Sequence, residues 1–312
     1  MSEIYAPRAK HGWLKTVAIV LLIVICMTGT WIVARATAPG SEAGSLSHNS
    51  NNASGTGSAA GAPQNRPSIA ESVIGGLGDA AHRPDGIVID KAKTQLTYIR
   101  LSDGMHLGSA NERFSRPALS LSKLYIADYV IDEGTEKEKY DALQMISNSD
   151  DGIAEELFTE YPESIDEVAK KYGLYATESG EYWGRSVTST YDVVKFIQAL
   201  KAEDELHPIL VAMSQPDDIA ADGYQQDFGT AVLSNVVGTK WRWSNSREIH
   251  ASVSFGENFI VAASVTGSAR DLTKLVRTQL SGKKLKEATT WFLESQQPGG
   301  GSASVAGRII IN

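Results

Sequence analysis

The chain has 312 residues, 42% of them hydrophobic and 21% charged, with 29 Lys and Arg against 37 Asp and Glu, a formal net charge of −8. That composition excludes collagen-like, coiled-coil and wholly disordered chains, and a single cysteine excludes a disulfide framework and any cysteine-based zinc site. An acidic chain also makes a poor nucleic-acid binder, whose affinity comes mostly from cations on phosphates.

The charge is uneven. Residues 1–67 carry five cations and two anions, a net +3, which leaves −11 for the remaining 245 residues. Thr16 to Ala34 is an uncharged run of 19 residues. As a helix it spans roughly 28 Å, about the hydrocarbon thickness of a bilayer. Trp13 and Trp31 sit near its ends, where indoles favour the membrane interface. Arg8, Lys10 and Lys15 precede the run and Arg35 follows it, so the positive-inside rule sets the amino terminus in the cytoplasm. The expected location is therefore the cell membrane, with a single pass through residues 16–34 and an extracytoplasmic domain. A cleaved signal peptide is the alternative, because Ala34-Arg35-Ala36 and Ala36-Thr37-Ala38 are small-residue patterns. Cys26 follows Ile25 rather than the small residue of a lipobox, and reads as a thiol within the membrane run.

Residues 1–15 then form a cytoplasmic tail and 35–68 a disordered Gly/Ser/Asn-rich linker, too poor in large apolar residues to offset its ordering entropy. A folded domain is expected over 69–296 and a flexible tail over 297–312. Within the domain a short helix is expected from Ile69. Strands are expected at 86–90, 95–101 and 105–107, with a turn at Ser102-Asp103-Gly104. Helical spacing covers 119–131, 137–147, 151–160, 164–172 and 189–202. Strand patterns return at 231–237, 240–243, 249–255 and 259–265, followed by helices at 270–280 and 285–294. Strands, a helical block, strands and terminal helices together indicate an α+β fold: an antiparallel sheet flanked by helices, with a small helical subdomain inserted. The six histidines are scattered and form no ligand pair, so no metal and no cofactor are expected.

One helix begins Ser120-Leu121-Ser122-Lys123, which sets Ser120 and Lys123 on one face. A hydroxyl becomes a nucleophile when a base takes its proton, and a buried lysine of lowered pKa can be that base. The pattern Ser-x-x-Lys alone is common in solvated helix faces. Two further features accompany it: Ser149-Asp150-Asp151 after an apolar helix, and Lys240-Trp241-Arg242 on a strand near the carboxyl terminus. In this order the chain resembles the penicillin-recognising serine enzymes, the class A β-lactamases and DD-peptidases. The resemblance covers roughly residues 70–295, and Arg185 to Asp192 resembles the family's Thr-rich helix start.

The resemblance implies a β-lactamase/transpeptidase-like fold preceded by one transmembrane helix. It implies a serine hydrolase acting on a peptidoglycan stem peptide or a β-lactam through an acyl-serine. Ser120 would be the nucleophile, Lys123 its base and Ser149 a proton relay. Asp151, Lys240, Trp241 and Arg242 would contact substrate, and the Ser120 N–H with one from the Lys240–Trp243 strand would form the oxyanion hole. The departures are specific. Asp151 stands where the family has Asn and should raise the pKa of Lys123. Trp241-Arg242 replaces the family's Thr/Ser-Gly, so Arg242 either blocks the groove or binds a carboxylate. Ser120 and Ser149 lie closer in sequence than is usual, and no Glu-x-x-x-Asn precedes the Thr-rich helix; Glu178 and Glu181 read as surface-loop acids. Trp241 and Trp243 share one strand face, either packed or turned to a ligand. The alternative reading is therefore a catalytically impaired protein of this fold that serves as a cell-wall or protein binding module.

Overall fold

The computed structural model describes residues 89–296 and 308–311, which fall in one unit, 64–312. The tail 1–15, the expected membrane helix 16–34, the linker 35–68 and the helix expected from Ile69 lie outside these residues. Among the described residues no helix is long and apolar enough to cross a membrane.

Strands β1 (Thr94–Arg100) and β2 (His106–Ser109) form a hairpin over the expected turn, with Tyr98 opposite Leu107. Gly104 closes that turn at φ 73°, where a side chain would strain the backbone. After the short strand β3 (Arg116–Pro117) a 3-10 turn at Leu119–Leu121 leads into α1 (Ser122–Glu133). Helices α2 (Glu136–Asn148), α3 (Asp151–Glu160) and α4 (Ser164–Tyr172) follow. Strand β4 (Val187–Thr188) returns to pair with β3, and α5 (Thr190–Glu203) and α6 (Pro208–Met213) complete the helical block. The chain then forms the meander β5 (Val236–Trp243), β6 (Ile249–Gly256) and β7 (Phe259–Thr266). It continues into α7 (Ala269–Gln279), α8 (Gly282–Ser295) and β8 (Arg308–Ile311).

The large sheet has the order β5-β6-β7-β1-β2-β8. Its side chains divide by the two-residue period of a strand. Ile260 and Ala262 of β7, with Ala251, Val253 and Phe255 of β6, face the helical block. Val261, Ala263 and Val265 of β7 face the opposite side with Leu96, Tyr98, Trp241 and Trp243, against Leu272 and Val276 of α7 and Phe292 of α8. Helix α1 is buried on most of its circumference, and the polar residues Ser122, Lys123 and Asp128 are buried with its apolar ones. It packs against α2, α3 and α4, while α5 lies on β1, β6 and β7. The fold is thus α+β, as the element order implies.

Three expectations are corrected. Most of the run 231–237, residues 231–235, is not strand. Gly229 at φ 68° begins a 3-10 turn and Asn235 at φ 62° interrupts extension, so β5 starts only at Val236. Helix α6 was not expected, because six residues begun by Pro208 are too short to show a period. The tail is not loose throughout. Arg308–Ile311 pairs in parallel with β2, Ile309 opposite Leu107, because a β-branched run gains most from a ladder that satisfies its backbone.

The loop after α4 is fixed by a buried polar network. Asp192, at the start of α5, accepts from the Ala176 N–H at 2.7 Å and from Thr177 Oγ1 at 2.8 Å. Thr177 in turn meets Thr188, and Thr188 meets the Tyr125 hydroxyl at 2.7 Å. Burial pushes the Asp192 carboxyl up to about 6, against the lowering effect of those hydrogen bonds. The stability from its protonated form is therefore complete below the ordinary carboxyl pKa and is lost as pH rises through about 6. Asp128 is raised to the same range, so the informative comparison is between parent and variant. Asp192→Asn should remove a decline on the order of 2–3 kcal/mol between pH 4 and 6.5. Denaturant unfolding across that range measures it, and parallel curves for parent and variant would contradict it.

Candidate active site

The site is built around the carboxyl end of α2. The last four carbonyls of a helix lack partners within it. Here Met145 O and Ile146 O accept from Lys240 Nζ at 3.5 and 3.0 Å. Ser147 O accepts from the Asp217 N–H at 3.1 Å and from Gln226 Nε2 at 3.1 Å, and Asn148 O accepts from the Ala221 N–H at 2.8 Å. One residue further, Ser149 O accepts from Lys123 Nζ at 2.7 Å. Two lysine side chains thus donate to the carbonyls at one helix end.

The local backbone turns each group inward. Ser149 has φ 59° and ends α2, and Asp150 caps α3 by accepting from the Gly152 and Ile153 N–H groups. That tight junction sets the Asp151 carboxylate 2.5 Å from Lys123 Nζ. Leu119, directly before Ser120, also has a positive φ, 46°. For a residue with a Cβ this conformation costs about 1–2 kcal/mol. Among the described residues four non-glycines adopt it, and two of them flank Ser120 and Lys123 or belong to their partners. Strain of this kind concentrates where a side chain must be aimed.

Lys123 is fully buried, with its ammonium 4.7 Å from the centre of the Trp183 ring. Burial lowers its pKa and outweighs the raising effect of Asp151. The expectation that Asp151 raises it is right in sign and wrong in net result. The Asp151 side chain is 61% exposed, so water screens its half of the pair. Lys240 is fully buried as well. Burial, then repulsion by Lys123, lowers its pKa well below the ordinary lysine range.

Lys123, Ser149, Asp151 and Lys240 therefore converge, and β5 lies against the turn that carries Ser120. Ser120 is 7% exposed, and no hydrogen bond from its hydroxyl to Lys123 is formed. The Ser149 hydroxyl is buried without a partner.

Two expected substrate contacts are elsewhere. Trp241 faces the second core, its indole donating to Phe228 O at 2.8 Å, because alternation along β5 turns it away from Lys240. Arg242 shares the face of Lys240 but is 2% exposed, and it donates to Ser264 Oγ on β7. It lies across the sheet over Ala251 rather than in an open groove. Trp243 also packs, donating to Asp222. Ser122 is a packing hydroxyl that donates to Leu119 O at 2.7 Å and to Trp183 O at 3.2 Å. Sequence reasoning missed Trp183. Its signal was the aromatic pair Tyr182-Trp183 in an otherwise polar segment. Among the described residues no group of three His, Cys, Asp or Glu side chains could hold a metal.

No protein-family model and no curated protein matches the chain. Among solved structures it is similar to a β-lactamase from Sphaerobacter thermophilus, with 13% identity over 70% of this chain and 97% of that one, and a TM-score of 0.49. It is also similar to penicillin-binding protein D2 from Listeria monocytogenes in a cefotaxime-bound form, with 16% identity over 63% of this chain and 97% of that one, and a TM-score of 0.46. A third likeness is to a D-alanyl-D-alanine carboxypeptidase from Mycobacterium tuberculosis, with 12% identity over 59% of this chain and 86% of that one, and a TM-score of 0.43.

The role of Lys240 is open to direct test. A lysine whose folded pKa is depressed holds fewer protons than the unfolded chain, so its contribution to stability grows as pH rises toward the ordinary lysine pKa. Lys240→Met leaves two helix carbonyls without their donor, a loss of about 1–3 kcal/mol. The deficit should widen between pH 7 and 9.5 in thermal or denaturant unfolding. A variant as stable as the parent at both pH values would show that the carbonyls do not depend on this amine.

Proposed function

We propose that the chain is a membrane-anchored, extracytoplasmic serine hydrolase of the β-lactamase/DD-peptidase kind. Its substrate class is a peptidoglycan stem peptide or a β-lactam. The observation that carries this reading is Lys123: a desolvated amine of lowered pKa, one helical turn beyond Ser120 and bound to the Ser149 carbonyl. In its neutral form Lys123 takes the Ser120 proton as Oγ bonds to the substrate carbonyl carbon. The oxyanion forms beside the Ser120 N–H and the β5 edge. The carbon–nitrogen bond then breaks, and the leaving nitrogen receives its proton through Ser149. Water attacks the resulting ester, releases the acid and restores Ser120. The anchor is residues 16–34, with the amino terminus in the cytoplasm.

A second reading rests on closure of the same site. Ser120 is nearly buried, the Lys240 Nζ is held by helix carbonyls, and Trp241 and Arg242 are turned inward. These features favour a binding module that does not turn over.

A fluorescent penicillin separates the two. The enzyme reading predicts covalent labelling of the full chain, with a mass increase on the peptide that contains Ser120. Labelling should be lost in Ser120→Ala and slowed at least 100-fold in Lys123→Ala, the scale of a missing general base. If the β-lactam and a D-Ala-D-Ala peptide ester both leave a folded chain unmodified, the enzyme reading fails and the binding module stands.

A further inference from the structure

Arg242 poses a problem that the site around Ser120 does not solve. Its guanidinium is 2% exposed, and one hydrogen bond is formed, from Nη2 to Ser264 Oγ at 2.7 Å. Nε and Nη1 are buried without a partner. The charged neighbour that acts on it is Arg116, another cation, and among the described residues no carboxylate pairs with it. A buried charge without compensation is costly, and a buried unpaired donor adds about 1–3 kcal/mol. Guanidinium does not escape by losing its proton near neutral pH.

Arg116 has its own anion. Nη1 meets Asp90 at 2.9 Å and also donates to Ala92 O, while Nη2 donates to Thr266 Oγ1. Its Nε is nevertheless buried without a partner. The two arginines therefore present three unused donor nitrogens, and both line one cavity of about 10 Å³.

The surroundings suit an anion. Ala251, Ala262 and Ala263 line the cavity, and the small side chains of Ala251 and Ala262, on the face of Arg242, leave room there. Thr188, Ser189 and Thr190 line it with hydroxyl-bearing side chains, and no carboxylate does. The volume holds one small particle and excludes sulfate, phosphate or a carboxylate ligand. A water would satisfy a donor but would leave the charge unanswered. An anion answers both, and in an apolar interior its attraction to the guanidinium is little screened.

We propose that Arg242, together with Arg116, binds a single small inorganic anion of the halide class, chloride in solution, in this buried cavity. The site is independent of the acyl-serine reading. It also explains why Arg242 is tolerated in the core at the position where the sequence suggested a substrate contact.

The experiment uses the full chain and sodium bromide. Crystals grown in bromide should show one anomalous peak within about 3.5 Å of an Arg242 nitrogen. In solution, chloride replaced by gluconate at constant ionic strength should lower the unfolding midpoint. Once chloride exceeds its dissociation constant, each tenfold increase should raise the midpoint by about 3–5 °C. Arg242→Met keeps the volume and removes the charge, so it should abolish both the peak and the chloride dependence. If that variant does not fold, the bromide and chloride measurements on the parent decide alone. A water in the cavity, with equal midpoints in chloride and gluconate, would overturn the proposal.

Discussion

The carboxyl end of α2 is the constraint on which the site depends. Five consecutive carbonyls, Met145 to Ser149, stop in the interior, where each needs a donor. Two backbone N–H groups of the segment after α6 supply part of the demand. The rest falls to Lys240 from β5 and Lys123 from α1. These bonds tie the sheet edge, the central helix and the α2–α3 junction into one unit. The residues that resemble a catalytic set are therefore also the residues that finish a helix.

This double role explains the character of the site. Burial lowers the pKa of Lys123, so it is a weaker base whose neutral form is favoured relative to an exposed lysine. The same burial leaves Ser120 only 7% exposed and holds Lys240 against the helix end. The segment bearing Trp183 closes over this site, with the Trp183 ring 4.7 Å from the Lys123 amine. That segment is fixed by Thr177, Thr188 and Asp192 at its base, and by the bonds of Ser179 to Asp166 and of Glu178 to Val187 beyond it.

Much of this was legible in the sequence, for stated reasons. Helices at 151–160 and 164–172 were found at their bounds from apolar spacing. The strand patterns at 249–255 and 259–265 followed from apolar alternation, and they pair as the β6–β7 hairpin. The convergence of Lys123, Ser149, Asp151 and Lys240 followed from motif order alone, through a family resemblance. What period cannot show is which face of a strand is the core when both faces are buried. For that reason the sequence left Trp241 open as packed or ligand-facing and Arg242 as blocking or binding; both are buried, since β5 has a core on each side. Local pattern also could not show that Arg308–Ile311 would find β2, some 200 residues earlier.

The central claim is that Lys123 is a desolvated amine held beside Ser120. Its side chain can be titrated directly by carbon-detected NMR of the full chain with labelled lysine, assigned through Lys123→Arg. The account predicts a transition below that of the exposed lysines, moving lower still in Asp151→Asn as the opposing carboxylate is removed. A Lys123 that titrates with the surface lysines, or above them, would contradict it.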